Sequence, residues 1–257
     1  SANQRYTLYH ILMWRDVVDI RDFYASPLGQ TAQRIIGKCL RRQWSNLTGH
    51  TVLGLGYTTP YLELFRNEAS RAVAAMPAQQ GVLHWPPDGP GLTTLVDELD
   101  LPFEDMSFDR VLLVHALEYA GQIRPLLREI WRVLEGSGRL VVIVPNRRGL
   151  WARFERTPFG HGLPYSTRQL SLMLRENLFT PLKIDRALFS PPMRSSMIQS
   201  ISGPSEKIGY RAFNTFGGVI ISESVKQIYS APPVGEVSRL RHYLPIPNRR
   251  PNPTSRH

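Results

Sequence analysis

Between Phe108 and Val144 the chain writes out a strand, a helix and a second strand, and this unit narrows the fold more than any other stretch. FDRVLLV (108–114) is a short apolar run of the kind that forms a buried strand. Ile123, Leu126, Leu127, Ile130, Trp131 and Leu134 then keep the i, i+3, i+4, i+7 spacing of one helix face. Gly136-Ser137-Gly138 ends the helix, and Arg139–Val144 is the next strand, stopped by Pro145. The same alternation of apolar runs and amphipathic segments starts at residue 51, which is the mark of an α/β fold.

The other elements follow by the same reading. Thr51–Leu55 is the first strand, Tyr61–Glu68 a helix, Arg71–Met76 the second strand and Gln80–Trp85 a third. In the loop before that helix, Thr59 suits the N-cap and Pro60 the first helical position, where its missing N–H costs nothing. Ser166-Thr-Arg-Gln169 predicts a capping box opening a helix with Leu170, Met173, Leu174 and Leu178 on one face. Lys183–Leu188 and Gly218–Glu223 are the closing strands, with an irregular Ser-, Met- and Gly-rich segment, 191–216, between them. Ahead of residue 51 the chain is helical: Val17, Ile20, Phe23 and Tyr24 share a face, Pro27-Leu28-Gly29 interrupts, and a second helix spans about Thr31 to Trp44. The reading is therefore a helical lead (1–50), an α/β domain (51–230) and an irregular tail (231–257). That tail has prolines at 232, 233, 245, 247, 251 and 253 and five arginines against one glutamate, too little apolar surface to fold alone.

Charge and cysteine content bound the function. The 257 residues carry a formal net charge of +10, which favours an anionic partner such as nucleic acid, a lipid headgroup or an acidic protein. Arg34, Lys38, Arg41 and Arg42 also read simply as the solvated face of a helix. Cys39 is the only cysteine, so an intramolecular disulfide and a CxxC zinc site are excluded. No apolar run nears the roughly 18 residues of a membrane span, and SANQRYTLYH has no charged-then-apolar signal pattern. A cytoplasmic protein is expected. No metal is expected either, since no His/Asp/Glu cluster has ligand spacing.

Three motifs, in order, carry a family resemblance: VLGLGYTTPYL (52–62), LPFEDMSFD (101–109) running into VLLVHALEY, and EIWRVLEGSGRLVVIVP (129–145). The chain resembles class I S-adenosylmethionine-dependent methyltransferases of the type 11 group over roughly residues 20–228. The resemblance implies a Rossmann-like, seven-stranded, mostly parallel sheet with helices on both faces. It also implies S-adenosylmethionine as cofactor, held at Gly54, Gly56, Tyr57, Thr58, Met76, Asp97 and His115. The sequence departs from the family pattern in this loop. Gly54 stands where an acid is usual, Thr58 and Pro60 stand where glycines are usual, and Met76 stands where an acid normally accepts the ribose hydroxyls. Asp97 falls where an adenine-contacting acid often sits. Thr58, Thr59 and Glu63 are candidate replacements for the lost contacts.

In such a fold the substrate enters near the ends of the fourth and fifth strands. His115 and His161 are the candidate general bases, because imidazole titrates near neutral pH. Each also reads as structural, His115 as a buried bonded residue and His161 as part of a turn. Arg147, Arg148, Trp151 and Tyr165 are the candidate substrate contacts, and the segment 154–165 reads as a lid over them. Hydrolase and nicotinamide motifs are absent: there is no G-x-S-x-G elbow, and Gly54-Leu-Gly56 is half of G-x-G-x-x-G. Two functions stay open. One is a methyltransferase acting on a small-molecule or anionic acceptor; the other is a methyltransferase fold that has lost its cofactor and binds or regulates, with nucleic acid as a partner.

Overall fold

The computed structural model describes residues 14–192 and 216–228. The Pro/Arg-rich tail and most of the 191–216 segment lie outside the described residues. Two helices come first, α1 (Val17–Ala25) and α2 (Pro27–Gln43). Pro27 does not interrupt a helix but starts one: Ser26 closes α1 and caps α2, its hydroxyl accepting the amide of Gly29 at 3.1 Å. The strands are β1 (Thr51–Gly56), β2 (Arg71–Pro77), β3 (Thr93–Val96), β4 (Phe108–Val114), β5 (Leu134–Pro145), β6 (Phe179–Ala187) and β7 (Val219–Lys226). Between them lie α3 (Thr59–Leu62), α4 (Ile123–Val133) and α5 (Thr167–Glu176).

All seven strands form one sheet in the order β3-β2-β1-β4-β5-β7-β6, parallel except for β7, which runs antiparallel to both its neighbours. Side chains alternate along each strand, so each face gathers its own core. Val52, Leu112, Val141, Ile143 and Ile221 meet Ile20, Tyr24, Ile36, Leu40 and Phe65 on the side of α1 and α2. Leu53, Leu55, Leu113, Val142 and Val144 meet Leu126, Leu127, Ile130, Leu170 and Leu174 of α4 and α5 on the other. Full burial of each such side chain contributes about 1.5–3 kcal/mol. The expected layered α/β architecture is present, with helices on both faces.

Three local expectations are corrected. Gln80–Trp85 is not a strand. The amide of Val17 takes the Gln80 carbonyl at 2.8 Å and Leu83 N–H points at the Met76 sulfur at 3.4 Å, so these groups are spent away from any ladder. The third strand is the β-branched Thr93–Val96, which pairs with Ala74–Pro77. Second, the helix after β1 is a single turn, Thr59–Leu62; beyond it Leu64 and Phe65 bond three residues back, to Tyr61 and Leu62, in tightened turns. Third, Thr58 rather than Thr59 is its N-cap, and Thr58 makes no side-chain capping bond.

The capping box at α5 is present. Ser166 Oγ accepts the Gln169 amide at 3.3 Å, and Gln169 Oε1 accepts the Ser166 amide at 3.0 Å. Ser166→Ala is expected to destabilise the fold by about 1 kcal/mol, measured by urea unfolding. The loop before β4 is pinned from α4. Arg132 donates to the carbonyls of Leu101 and Phe103 and pairs with Glu129 at 2.7 Å. That guanidinium and the Leu101 amide hold the Glu129 carboxyl below its ordinary range.

Candidate active site

Strand order reverses between β1 and β4, whose first helical connections leave on opposite faces. In open α/β sheets the ligand crevice lies at such a switch point, outside the carboxyl ends of the strands. Gly56 ends β1 there with φ +88, and a Cβ on it would stand 2.3 Å from the Val114 carbonyl oxygen. The glycine is therefore needed for the close approach of β1 to β4. Gly54, one turn of the pleat earlier, faces Thr58: a Cβ there would lie 2.1 Å from Thr58 Oγ1. The space that an acid at position 54 would use is held by the loop's own threonine.

His115 is the centre of the crevice. It follows β4, is fully buried, and has φ +51. A non-glycine residue held in the left-handed region costs on the order of 1–3 kcal/mol and persists only when its surroundings fix it. Here they do. Gln80 Nε2 reaches over the end of β1 to donate to the His115 carbonyl at 2.8 Å. Glu118 Oε1 lies 3.3 Å from Nδ1, and the Tyr24 hydroxyl lies 2.9 Å from Nε2. Because a carboxylate only accepts, Nδ1 carries the hydrogen and Nε2 accepts the Tyr24 O–H. The Tyr24 hydroxyl in turn meets that of Tyr61 at 3.0 Å. Burial raises the pKa of both phenols, so both are neutral donors at physiological pH.

Three polar atoms in this region are buried and have no hydrogen-bond partner among the described residues: Thr58 Oγ1, Gln80 Oε1 and Glu118 Oε2. All three residues are almost fully enclosed. Each unmet group costs about 1–3 kcal/mol. They stand at the ends of β1, β2 and β4, and a polar ligand in the crevice would relieve them.

The remaining expected site residues are distributed around this centre. Tyr57 is buried and stacks on Tyr24, with ring centroids 5.5 Å apart. Met76 is buried below the Leu83 amide. Asp97 is exposed, its carboxylate accepting the Leu99 amide at 2.9 Å within its own turn. Glu63 turns away from the crevice to Arg66 and the Trp85 indole. It lines an open groove of about 360 Å³ with Thr59, Pro60 and Trp85. Arg147 and Arg148 are exposed, and Arg147 donates to the Pro164 carbonyl. The Trp151 indole donates to Ser190 O at 2.8 Å, and the Tyr165 hydroxyl reaches Leu117 O at 3.5 Å. Burial pushes the Tyr165 phenol up to about 12. These contacts hold the 151–165 segment in place over His115, where Phe159 lies with its ring 4.9 Å from the imidazole.

His161 is half-buried in that segment, 2.6 Å from Arg15 Nη1 and bonded to the Glu155 carbonyl. It does not share the crevice network with His115. The residues that sequence reading passed over are Tyr24, Tyr61, Gln80 and Phe159. Among the described residues no cluster has the composition of a metal site, and no helix is long and apolar enough to cross a membrane.

Residues 37–142 match the family model of the methyltransferase domain. A demethylmenaquinone methyltransferase of Deinococcus radiodurans is 25% identical over 168 residues, which is 65% of this chain and 61% of the relative. One of Tropheryma whipplei is 30% identical over 125 residues, 48% of this chain and 45% of the relative. The chain thus spans less than two thirds of the length of these relatives. Among solved structures, a methyltransferase of Thermotoga maritima described as a possible histamine N-methyltransferase has a TM-score of 0.60 at 16% identity. It covers 85% of this chain and 99% of its own. The 1,6-didemethyltoxoflavin-N1-methyltransferase of Burkholderia thailandensis, with bound S-adenosylhomocysteine, gives 0.56 at 15% identity, covering 88% and 91%. The matched segment is that of a methyltransferase domain, and the whole sheet shares the fold of these solved methyltransferase structures.

Proposed function

We propose that the chain transfers a methyl group from S-adenosylmethionine to a small-molecule acceptor in the crevice between β1 and β4. The observation that carries this reading is the set of buried, unpartnered atoms, Thr58 Oγ1, Gln80 Oε1 and Glu118 Oε2, around that crevice. They fit the cofactor with a different donor set from the family pattern. A hydroxyl and an amide stand near the loop, and the carboxylate comes from the β4 side, where Gly54 and Met76 offer none. Thr58, Gln80 and the outer oxygen of Glu118 are assigned to the cofactor, with Gly56 allowing the loop its close turn. When bound, the cofactor supplies an electrophilic methyl carbon; the acceptor's lone pair takes it, the carbon–sulfur pair stays on sulfur as a thioether, and the acceptor's proton must leave.

His115 is placed to take that proton. Glu118 holds Nδ1–H and leaves Nε2 as the accepting nitrogen, and Phe159 with Trp151 keeps water from the imidazole face. The nucleic-acid alternative rests on net charge, and several of the cations behind that charge are engaged elsewhere. Arg41 pairs with Glu68, Arg132 with Glu129 and Asp105, and Arg139 with Glu223. An ion-paired arginine has less to offer a phosphate.

Calorimetric titration of the full chain with S-adenosylmethionine and S-adenosylhomocysteine tests the reading. Micromolar binding, about −7 to −8 kcal/mol, is expected for both. No heat from either ligand at millimolar concentration refutes it and leaves a binding module on a methyltransferase fold.

A further inference from the structure

The crevice already holds a ligand of a kind, and the chain supplies it. Tyr24 belongs to α1 and to the core on that side of the sheet, and within it the ring lies among Tyr57, Tyr61 and His115. Tyr57 stacks on it at 22° and Tyr61 meets it edge-on at 89°. Its hydroxyl sits on the one nitrogen of His115 that can accept, 2.9 Å away, and on no backbone group. A side chain serving only as packing would not need a hydroxyl aimed at the imidazole.

We infer that the acceptor is a phenol, whose ring takes the slot between Tyr57 and Tyr61 and whose O–H replaces that of Tyr24 on His115 Nε2. Tyr24 is then an internal competitor, carried in and out by α1. This inference rests on the methyltransferase reading of the same crevice.

The helix is suited to that movement. It has nine residues, too few to be stable alone in water, so its place depends on docking. Beyond its buried face, the docking contacts include the Val17 amide on Gln80 O, the Trp14 ring on Tyr119, and Arg15 on His161 in the 151–165 segment. The slot also discriminates by chemistry. Nε2 accepts a hydrogen, so an O–H is a better partner than an N–H, and an ether offers nothing. Proton movement is part of the recognition: the phenol hydrogen passes to Nε2, and the imidazolium is held by Glu118 on its other side.

The test uses three probes of nearly equal shape, 4-nitrophenol, 4-nitroaniline and 4-nitroanisole, titrated into the full chain by difference absorbance, with and without saturating S-adenosylhomocysteine. The phenol is expected to bind about 10–150-fold tighter than the aniline, and the anisole weakest, as one hydrogen bond between charged groups dictates. Bound 4-nitrophenol should gain the yellow absorption of its phenolate. Tyr24→Phe keeps the ring and removes the competing hydroxyl, and should tighten 4-nitrophenol about five- to tenfold. Tyr24→Ala should tighten it at least as much, and circular dichroism shows whether that variant is folded. If S-adenosylhomocysteine binds but the aniline competes equally, or Tyr24→Phe leaves phenol affinity unchanged or weaker, the phenol inference is overturned and the methyltransferase reading stands. If S-adenosylhomocysteine does not bind to wild type or to Tyr24→Phe, the methyltransferase reading fails first and the phenol inference with it.

Discussion

His115→Asn is expected to lower turnover by about 10²–10⁴-fold with any acceptor that the wild-type chain methylates. Asparagine is the replacement of choice because it tolerates the positive φ at this position, so the backbone turn after β4 survives. S-adenosylhomocysteine affinity should change little, since His115 is not among the residues assigned to the cofactor, Thr58, Gln80 and Glu118. The loss should appear in kcat more than in KM, because proton removal matters only as the acceptor is methylated. Glu118→Gln separates positioning from chemistry. A glutamine fills the same space, but its amide NH₂ can donate to Nδ1, which then accepts, and Nε2 carries the hydrogen instead. Turnover should fall in this variant too, while the His115 ring stays in place. Turnover within twofold of wild type in both variants would rule out His115 as the proton acceptor. Equal loss of cofactor affinity and turnover would assign it a structural role.

The sequence was a good guide wherever the signal was local. In the 108–144 unit the first strand and the helix stand where periodicity puts them, because each apolar face is repeated several times within a few residues. However, β5 already begins at Leu134 and takes in Gly136-Ser137-Gly138, which the sequence reading puts at the end of the helix. Ser166 and Gln169 form their box because both halves of a capping box lie within one turn. Thr93–Val96 escaped notice because four residues are too few for alternation to show, and Gln80–Trp85 imitated a strand while tied under α1. The centre of the site was half legible. His115 and Glu118 follow a recognisable strand, three residues apart. Tyr24 was hidden for a physical reason: in α1 it holds a core position beside Ile20, and its hydroxyl partner is 91 residues away. Helical spacing records which face is buried, not what a hydroxyl on that face will meet. Asp97 shows the reverse case, a residue type that fits a cofactor contact but whose carboxylate satisfies an amide two residues on.

The loop itself can be tested by restoring what it lacks. Gly54→Asp alone should be among the most damaging changes in the chain. Its Cβ would lie 2.1 Å from Thr58 Oγ1, 2.7 Å from Thr58 Cβ and 2.8 Å from Leu62 Cδ1. Overpacking of this kind costs about 1–3 kcal/mol, and a buried carboxylate without a partner adds to it. A total of about 2–4 kcal/mol corresponds to roughly 4–16 °C in Tm for a domain of this size. Gly54→Asp combined with Thr58→Gly removes the threonine atoms from the collision and leaves only Leu62, the far end of a flexible side chain, to shift. Most of the stability should return. The carboxylate then points into the crevice, where one charge-assisted hydrogen bond to the cofactor contributes about 1.5–3 kcal/mol. Affinity for S-adenosylmethionine should rise by about 10–150-fold over Thr58→Gly alone. The comparison with Thr58→Gly matters, because that single change removes a proposed cofactor contact and should itself weaken binding. If the double variant is as unstable as Gly54→Asp, Thr58 is not what excludes an acid from the end of β1. If it is stable but binds no tighter than Thr58→Gly, position 54 does not face the cofactor, and the binding determinants must be sought at Gln80 and Glu118.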